Sequence, residues 1–74
     1  MRTVTARLVG AEMVVRMGGS GVVVQSPELA ADALLRDETV RMPAGVAFAR
    51  RVRRVIGQRS LAGRGPSGEG VNWE

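Results

Sequence analysis

This 74-residue chain contains neither cysteine nor histidine, and that absence constrains its fold more than any other feature. A domain of this size buries only about 60% of the surface that its unfolded chain exposes, so its stability is marginal. Small domains usually add disulfides, a bound metal or a second subunit. Disulfides and thiolate zinc sites are excluded here, and the seven scattered acidic residues do not suggest a metal site. We therefore expect one small domain without cofactor or metal that depends on oligomerisation or on docking to a partner.

The N-terminal third of the chain shows the alternation of apolar and polar side chains that is typical of half-buried strands. The alternation covers residues 2–9 and then residues 12–17. Only Gly10 and one further residue separate them, which leaves two alternatives: two separate strands, or one long strand that bends or bulges at Gly10. A third strand is predicted over residues 21–25, where three valines are consecutive.

A glycine-rich segment, residues 18–21, separates the second and third predicted strands. Glycine readily adopts positive φ, so this segment suits a tight hairpin turn. A phosphate-binding loop is the alternative. However, a P-loop needs Lys and then Ser or Thr after its last glycine, and a dinucleotide-binding motif needs a helix to begin there. Valines follow Gly21 instead, and we therefore favour the turn.

Two helices are predicted after the strands. The first covers residues 27–36, because Ser26 can cap it and Pro27 suits the first helical position. Residues 39–42 are short and extended, and we expect them to add an edge strand or to act as a connection. The second helix covers residues 43–57. The fold class is therefore α+β, with a small antiparallel sheet of about three strands.

The second predicted helix carries most of the excess positive charge of the chain. Residues 1–42 contain five arginines and five acids, whereas residues 43–74 contain six arginines and two acids. At 100° per residue, Phe48, Ala49, Val52, Val55 and Ile56 fall on one side of the helix. Arg50, Arg51, Arg53 and Arg54 fall on the other side.

Two interpretations of this arginine cluster have equal weight. Positive charge near a helix C-terminus is favourable, and a charged helix face is usually a solvated face. A local excess of one charge is also typical of a partner-binding surface. The absence of lysine is best attributed to GC-rich coding, which explains the choice of arginine but not the clustering. Gly57 is expected to cap the helix at its C-terminus.

Residues 58–74 are rich in glycine and cannot form a core of their own. We expect the domain to comprise residues 1–57 and residues 58–74 to form an extended or flexible tail that a partner orders. The tail ends close to the only tryptophan, Trp73, whose large apolar surface favours a docking role.

Catalytic chemistry is poorly supported by the composition. Histidine, cysteine, tyrosine and lysine are all absent, which leaves carboxylates, hydroxyls and guanidinium groups. Asp37 and Glu38 could form an acid–base pair, but adjacent carboxylates at a helix end are more simply explained as solvated charges. We therefore expect a protein that is not an enzyme.

Two functional hypotheses follow from these observations. The first is a structural or interaction protein that acts as a small subunit of a larger assembly, for example a phage virion, as a homo-oligomer or with other protein subunits. The alternative is a small nucleic-acid-binding regulator that contacts the phosphate backbone through the arginine-rich helix. The sequence leaves open whether the arginines contact an acidic protein surface or nucleic acid. The candidate binding residues are Arg50, Arg51, Arg53, Arg54, Arg59, Arg64 and Trp73.

The sequence also limits where the protein can act. Residues 1–7 lack the continuous apolar segment of a signal peptide, and no window of about 20 residues is apolar enough to span a membrane. We expect a cytoplasmic protein, or a virion component if a phage encodes it. Nucleic-acid recognition would be insensitive to sequence, because no known reading module fits the predicted elements and stacking aromatics are scarce.

Overall fold

A computed structural model describes the backbone of residues 2–64 and the side chains of residues 2–60. The α+β class is confirmed, with one antiparallel sheet of three strands in the order β2-β1-β3 and two helices. The elements in chain order are β1 (Thr3–Val9), β2 (Glu12–Met17), α1 (Pro27–Leu35), β3 (Val40–Pro43) and α2 (Val46–Arg64). Trp73 and the rest of residues 65–74 lie outside the described residues, so the predicted docking tail stays a prediction there.

The first two strands form a true hairpin rather than one bent strand. Val9 pairs with Glu12, and the register continues to the pair of Val4 with Met17. Gly10 is the first of the two loop residues and has a φ of 63°. Glycine with positive φ at this position is typical of a two-residue hairpin turn, because the turn then matches the twist of the strands.

The third strand lies at Val40–Pro43, not over residues 21–25 as predicted. Residues 21–25 contribute only an isolated parallel bridge between Val23 and Arg41, where the Val24 amide donates to the Arg41 carbonyl at 2.7 Å. The physical reason is burial. Strand β3 places two buried apolar side chains, Val40 and Met42, against the core, whereas Val22 is 87% exposed.

Helix α1 matches its prediction to within one residue. The Ser26 hydroxyl accepts a hydrogen bond from the Leu29 amide at 3.3 Å, which satisfies one of the amides left open at the helix start. At the other end Asp37 has a φ of 65°, and the Glu38 amide donates back to the Ala33 carbonyl at 3.0 Å. This left-handed residue and backward hydrogen bond form a Schellman motif that ends the helix.

Helix α2 differs from its prediction at both ends. It begins at Val46, because Pro43 is the last residue of β3, and it runs through Gly57 to Arg64. Gly57 is therefore not a helix cap, and residues 58–64 are helical rather than extended. Residues 58–62 (Gln-Arg-Ser-Leu-Ala) are largely good helix formers, so the cost of about 1 kcal/mol for Gly57 is not enough to end the helix there.

The core lies between one face of the sheet and the two helices. Its buried members come from every element except β2, and Val52 is the buried contribution of α2. They are Ala6, Ala30, Ala31, Leu34, Val40, Met42 and Val52. Helices α1 and α2 pack against each other, and this pairing holds the charged side of α2 away from the core. Among the described residues, no helix is long and apolar enough to cross a membrane.

Candidate binding surface

Helix α2 positions a purely cationic surface on this domain. Over its 19 residues it contains six arginines and no acidic residue. At a rise of 1.5 Å per residue the helix is about 28 Å long. We call the exposed side chains of Arg50, Arg51, Arg53 and Arg54 the arginine face.

The predicted helical phase is confirmed. Val52 is fully buried, and the other four residues of the predicted apolar side are half-buried. At 100° per residue, Arg50 and Arg54 each lie about 160° around the helix from Val52. These two side chains are therefore at the centre of the outward surface.

Arg53 lies at the edge of the arginine face that borders the sheet. It lines one groove with Leu8, Met13 and Ile56, and a second groove with Val4. Its guanidinium group therefore adjoins apolar side chains. A ligand that contacts Arg53 would also reach apolar surface of the hairpin.

Arg59 is a candidate residue that does not belong to the arginine face. It follows Val52 by seven residues, which is two turns, and so lies on the packed side of α2. Its Nε lies 3.0 Å from Asp32 Oδ1 of α1, in a salt bridge. An exposed ion pair of this kind contributes about 0.2–1 kcal/mol, and here it joins the two helices beyond Gly57. Arg64 is the last residue of α2, and its side chain is outside the described part of the chain.

The arginine face is not neutralised by ion pairs with the described residues, although Glu12 lines one of the two grooves together with Arg53. Within residues 2–60 the salt bridges are Arg36 with Glu38 and Arg59 with Asp32, and neither includes a member of the arginine face. Four guanidinium groups on one exposed helix surface therefore produce a local positive potential. Such a surface attracts carboxylate or phosphate groups, which a guanidinium group can bind through two parallel hydrogen bonds.

Arg41 has a structural position that the sequence did not predict. Its Nε donates to Thr3 Oγ1 at 3.0 Å and its Nη1 donates to the Gly21 carbonyl at 3.0 Å. Arg41 thereby ties the glycine-rich loop to the edge of β3. The loop is not a hairpin between two strands, and Thr5 Oγ1 donates to its Gly18 carbonyl at 2.7 Å.

The structure also exposes an apolar surface on β2 that the sequence analysis did not single out. Val14 is 41%, Val15 45% and Met17 75% exposed, although these residues belong to a strand of the sheet. One feature of the sequence could have indicated this surface: the adjacent residues Val14 and Val15 place apolar side chains on both faces of the strand.

The pair of carboxylates at Asp37 and Glu38 has structural roles. Asp37 is the left-handed residue that ends α1, and Glu38 forms an exposed salt bridge with Arg36 at 3.1 Å. In the described part of the chain there is no group of three or more acidic residues that could hold a metal ion.

Comparison of the chain with protein-family models, with curated proteins and with solved structures finds no significant match.

Proposed function

We propose that this protein is a non-enzymatic interaction protein, a small subunit of a larger assembly, which docks through its arginine face on an acidic surface of another protein. One observation carries the proposal. Among the described residues, seven apolar residues are buried while eight large apolar side chains are more than 40% exposed. Contiguous exposed apolar surface marks interaction sites in soluble proteins.

The exposed apolar residues are not scattered evenly. Four of the eight lie on the β1–β2 hairpin: Val15 and Met17 on the same face of the sheet as the buried Ala6, and Val9 and Val14 on the opposite face. Arg53 of the arginine face borders the groove that includes Val15. Apolar and cationic surfaces therefore meet, and a protein partner with apolar side chains beside carboxylates would cover both.

Residues 58–74 enter the proposal in two parts. The helical part, residues 58–64, prolongs α2 beyond the domain boundary predicted at residue 57. The part that contains Trp73 is proposed to dock on the same partner, because the large apolar surface of tryptophan is frequent at the centres of interfaces. The site of action that fits this proposal is the cytoplasm, or the virion of a phage.

The alternative is binding to the phosphate backbone of nucleic acid. The observation that favours it is the length of α2 together with its single sign of charge, since six arginines lie along about 28 Å of helix without an acid. Arginine binds phosphate oxygens as well as carboxylates. Such binding would be independent of base sequence and strongly dependent on salt.

The proposal is tested by recovering the tagged chain from the cells that encode it, before and after nuclease treatment. We expect a stoichiometric protein partner that survives nuclease and is lost from the double variant Arg50→Glu, Arg54→Glu. The control Arg2→Glu, Arg36→Glu carries the same charge change at two exposed residues outside both α2 and the β1–β2 hairpin and should retain the partner. A chain that is monomeric by light scattering and recovers no stoichiometric partner would contradict the proposal.

The alternative is tested with the purified chain and duplex DNA. If the arginines contact phosphates, log affinity should fall with log salt by about 0.9 per phosphate neutralised, and the double variant should lose binding. Absence of binding at low salt would exclude the nucleic-acid hypothesis.

A further inference from the structure

Strand β2 is an edge strand whose outer edge is not covered by any described residue. The sheet order places β1 on one side of β2, and the opposite edge of the sheet, at β3, adjoins Val23. A strand edge with unpaired amide and carbonyl groups is a template for pairing with another chain unless charges, proline or a bulge protect it.

The hydrogen bonds of β1 show which groups of β2 face outward. The Gly18 amide donates to the Thr3 carbonyl, and the Ala44 amide donates to the Arg2 carbonyl. Odd-numbered residues of β1 therefore bond towards β2 and even-numbered residues towards β3. Through the register of the hairpin, the amides and carbonyls of Met13, Val15 and Met17 point to the open edge.

Both faces of β2 are also accessible. Five of its six residues are exposed, and Met13 is half-buried. Glu12 and Arg16, on the same face, form no salt bridge with any residue of the described part of the chain. The strand therefore offers a backbone edge, apolar side chains and two opposite charges to an incoming strand.

We propose that the occupant of this edge is a second copy of the chain, whose β2 pairs antiparallel with Val14 opposite Val14. In this register Glu12 lies opposite Arg16 of the second copy, and the twofold axis repeats the pair. Met13 lies opposite Val15 of the second copy and exchanges both backbone hydrogen bonds with it. The charges and apolar residues of β2 are thus complementary to those of an antiparallel copy of β2. An isologous interface requires such self-complementarity, because both subunits contribute the same surface.

The adjacent register fits this strand less well. With Val15 opposite Val15, Glu12 would face Gly18 and Arg16 would face Val14 of the other copy, so neither charge would gain an opposite partner. Opposite charges that face each other across strands stabilise a sheet. Charge complementarity therefore selects the register centred on Val14.

The dimer contains a continuous antiparallel sheet of six strands. Because directly opposed residues lie on the same face, both copies place their helices on one side of this sheet. The two arginine faces are then presented on the same side of the dimer. This inference goes beyond the proposed function. The two share the exposed apolar side chains of β2, but the dimer rests on the open backbone edge and the charges of β2 and not on the arginine face of α2.

The register is tested by disulfide trapping, because the chain has no natural cysteine. Val14→Cys should form a cross-linked dimer under mild oxidation, since directly opposed side chains on a non-hydrogen-bonded pair approach closely. Val15→Cys is the matched control, because it faces Met13 of the second copy and should cross-link poorly. Preferential cross-linking of Val15→Cys, or of neither variant, would overturn the proposal.

The charges are tested by sedimentation over a range of protein concentrations. The wild-type chain should dimerise, and Arg16→Glu should weaken dimerisation by about tenfold or more, since two attractive pairs become repulsive. Glu12→Arg combined with Arg16→Glu should restore the dimer, because the two charges are exchanged and each pair is attractive again. Circular dichroism of Arg16→Glu checks that the single variant is folded. A wild-type chain that is monomeric at all concentrations would refute the dimer.

The test of the dimer can be distinguished from the test of the proposed function. Arg50→Glu with Arg54→Glu should leave the dimerisation constant unchanged, because these residues are on the outward side of α2. Loss of dimerisation in that variant would contradict the assignment of the interface to β2.

Discussion

Replacement of Gly57 by alanine tests the continuation of α2 through this residue. Gly57 lies in the helix, does not have positive φ and is exposed. Apart from its chain neighbours and the backbone of its own helix, no heavy atom lies within 4 Å of the position that a Cβ would occupy. Alanine is more favourable than glycine in a helix interior by about 0.5–1 kcal/mol. Gly57→Ala should therefore raise the free energy of unfolding by that amount, because nothing in the fold opposes the added methyl group.

The sign of the effect distinguishes two structures. If Gly57 were the left-handed residue that ends a helix, alanine there would cost about 1–2 kcal/mol. Thermal and urea unfolding, followed by circular dichroism at one protein concentration, measures the difference. For a domain of this size, a gain of about 0.5–1 kcal/mol raises the melting temperature by about 2–8 °C.

Gly10→Ala is the matched control for this measurement. Gly10 has a φ of 63° in the hairpin turn and equally open space around its Cβ position. The same added methyl group should therefore lower stability, because its backbone conformation disfavours an L side chain. A melting temperature that falls in both variants would refute the helical conformation of Gly57.

Two further substitutions test the loop after β2 and the end of α1. Gly19→Ala should lower the free energy of unfolding by about 1–3 kcal/mol in urea titrations, because φ is 114° and the new Cβ would clash with Thr5 Oγ1. Thr5→Ala in the same chain should recover part of that loss, and an unchanged stability of Gly19→Ala would contradict the loop conformation. Asp37→Gly should raise the free energy of unfolding by about 1 kcal/mol, because Asp37 has a φ of 65° and glycine adopts this left-handed conformation without the cost that a Cβ brings. Asp37→Asn should give a smaller increase by removing a negative charge from a helix C-terminus, and a decrease in both variants would refute the Schellman motif.

Local signals in the sequence were sufficient for much of this fold. The alternation of apolar and polar residues predicted the positions of β1 and β2. The half-burial expected of both strands was wrong for β2, which is exposed on both faces. Ser26 and Pro27 predicted the start of α1, since a cap is completed by neighbours in the chain. The spacing around Val52 predicted which side of α2 is buried and that Arg50 and Arg54 face outward.

The third strand was only partly predicted: an edge strand at residues 39–42 was one of two alternatives, and the strand expected over residues 21–25 is wrong. The three valines over residues 22–24 have high strand propensity, but propensity does not provide a pairing edge. The edge of β1 opposite β2 is taken by Val40–Pro43, which lies more than thirty residues away in the chain. That pairing is selected by the burial of Val40 and Met42, a contribution that depends on where both helices lie.

In the candidate site too, some residues could be placed from the sequence and others only from the tertiary structure. The clustering and outward phase of the arginine face follow from residue order, because helical geometry relates neighbours in the chain. Arg59 belongs to the α1–α2 contact instead, since its partner Asp32 is brought near only by the packing of the two helices. The uncovered edge of β2 likewise depends on strand order, which the alternation of side chains cannot specify because every strand of a sheet alternates alike.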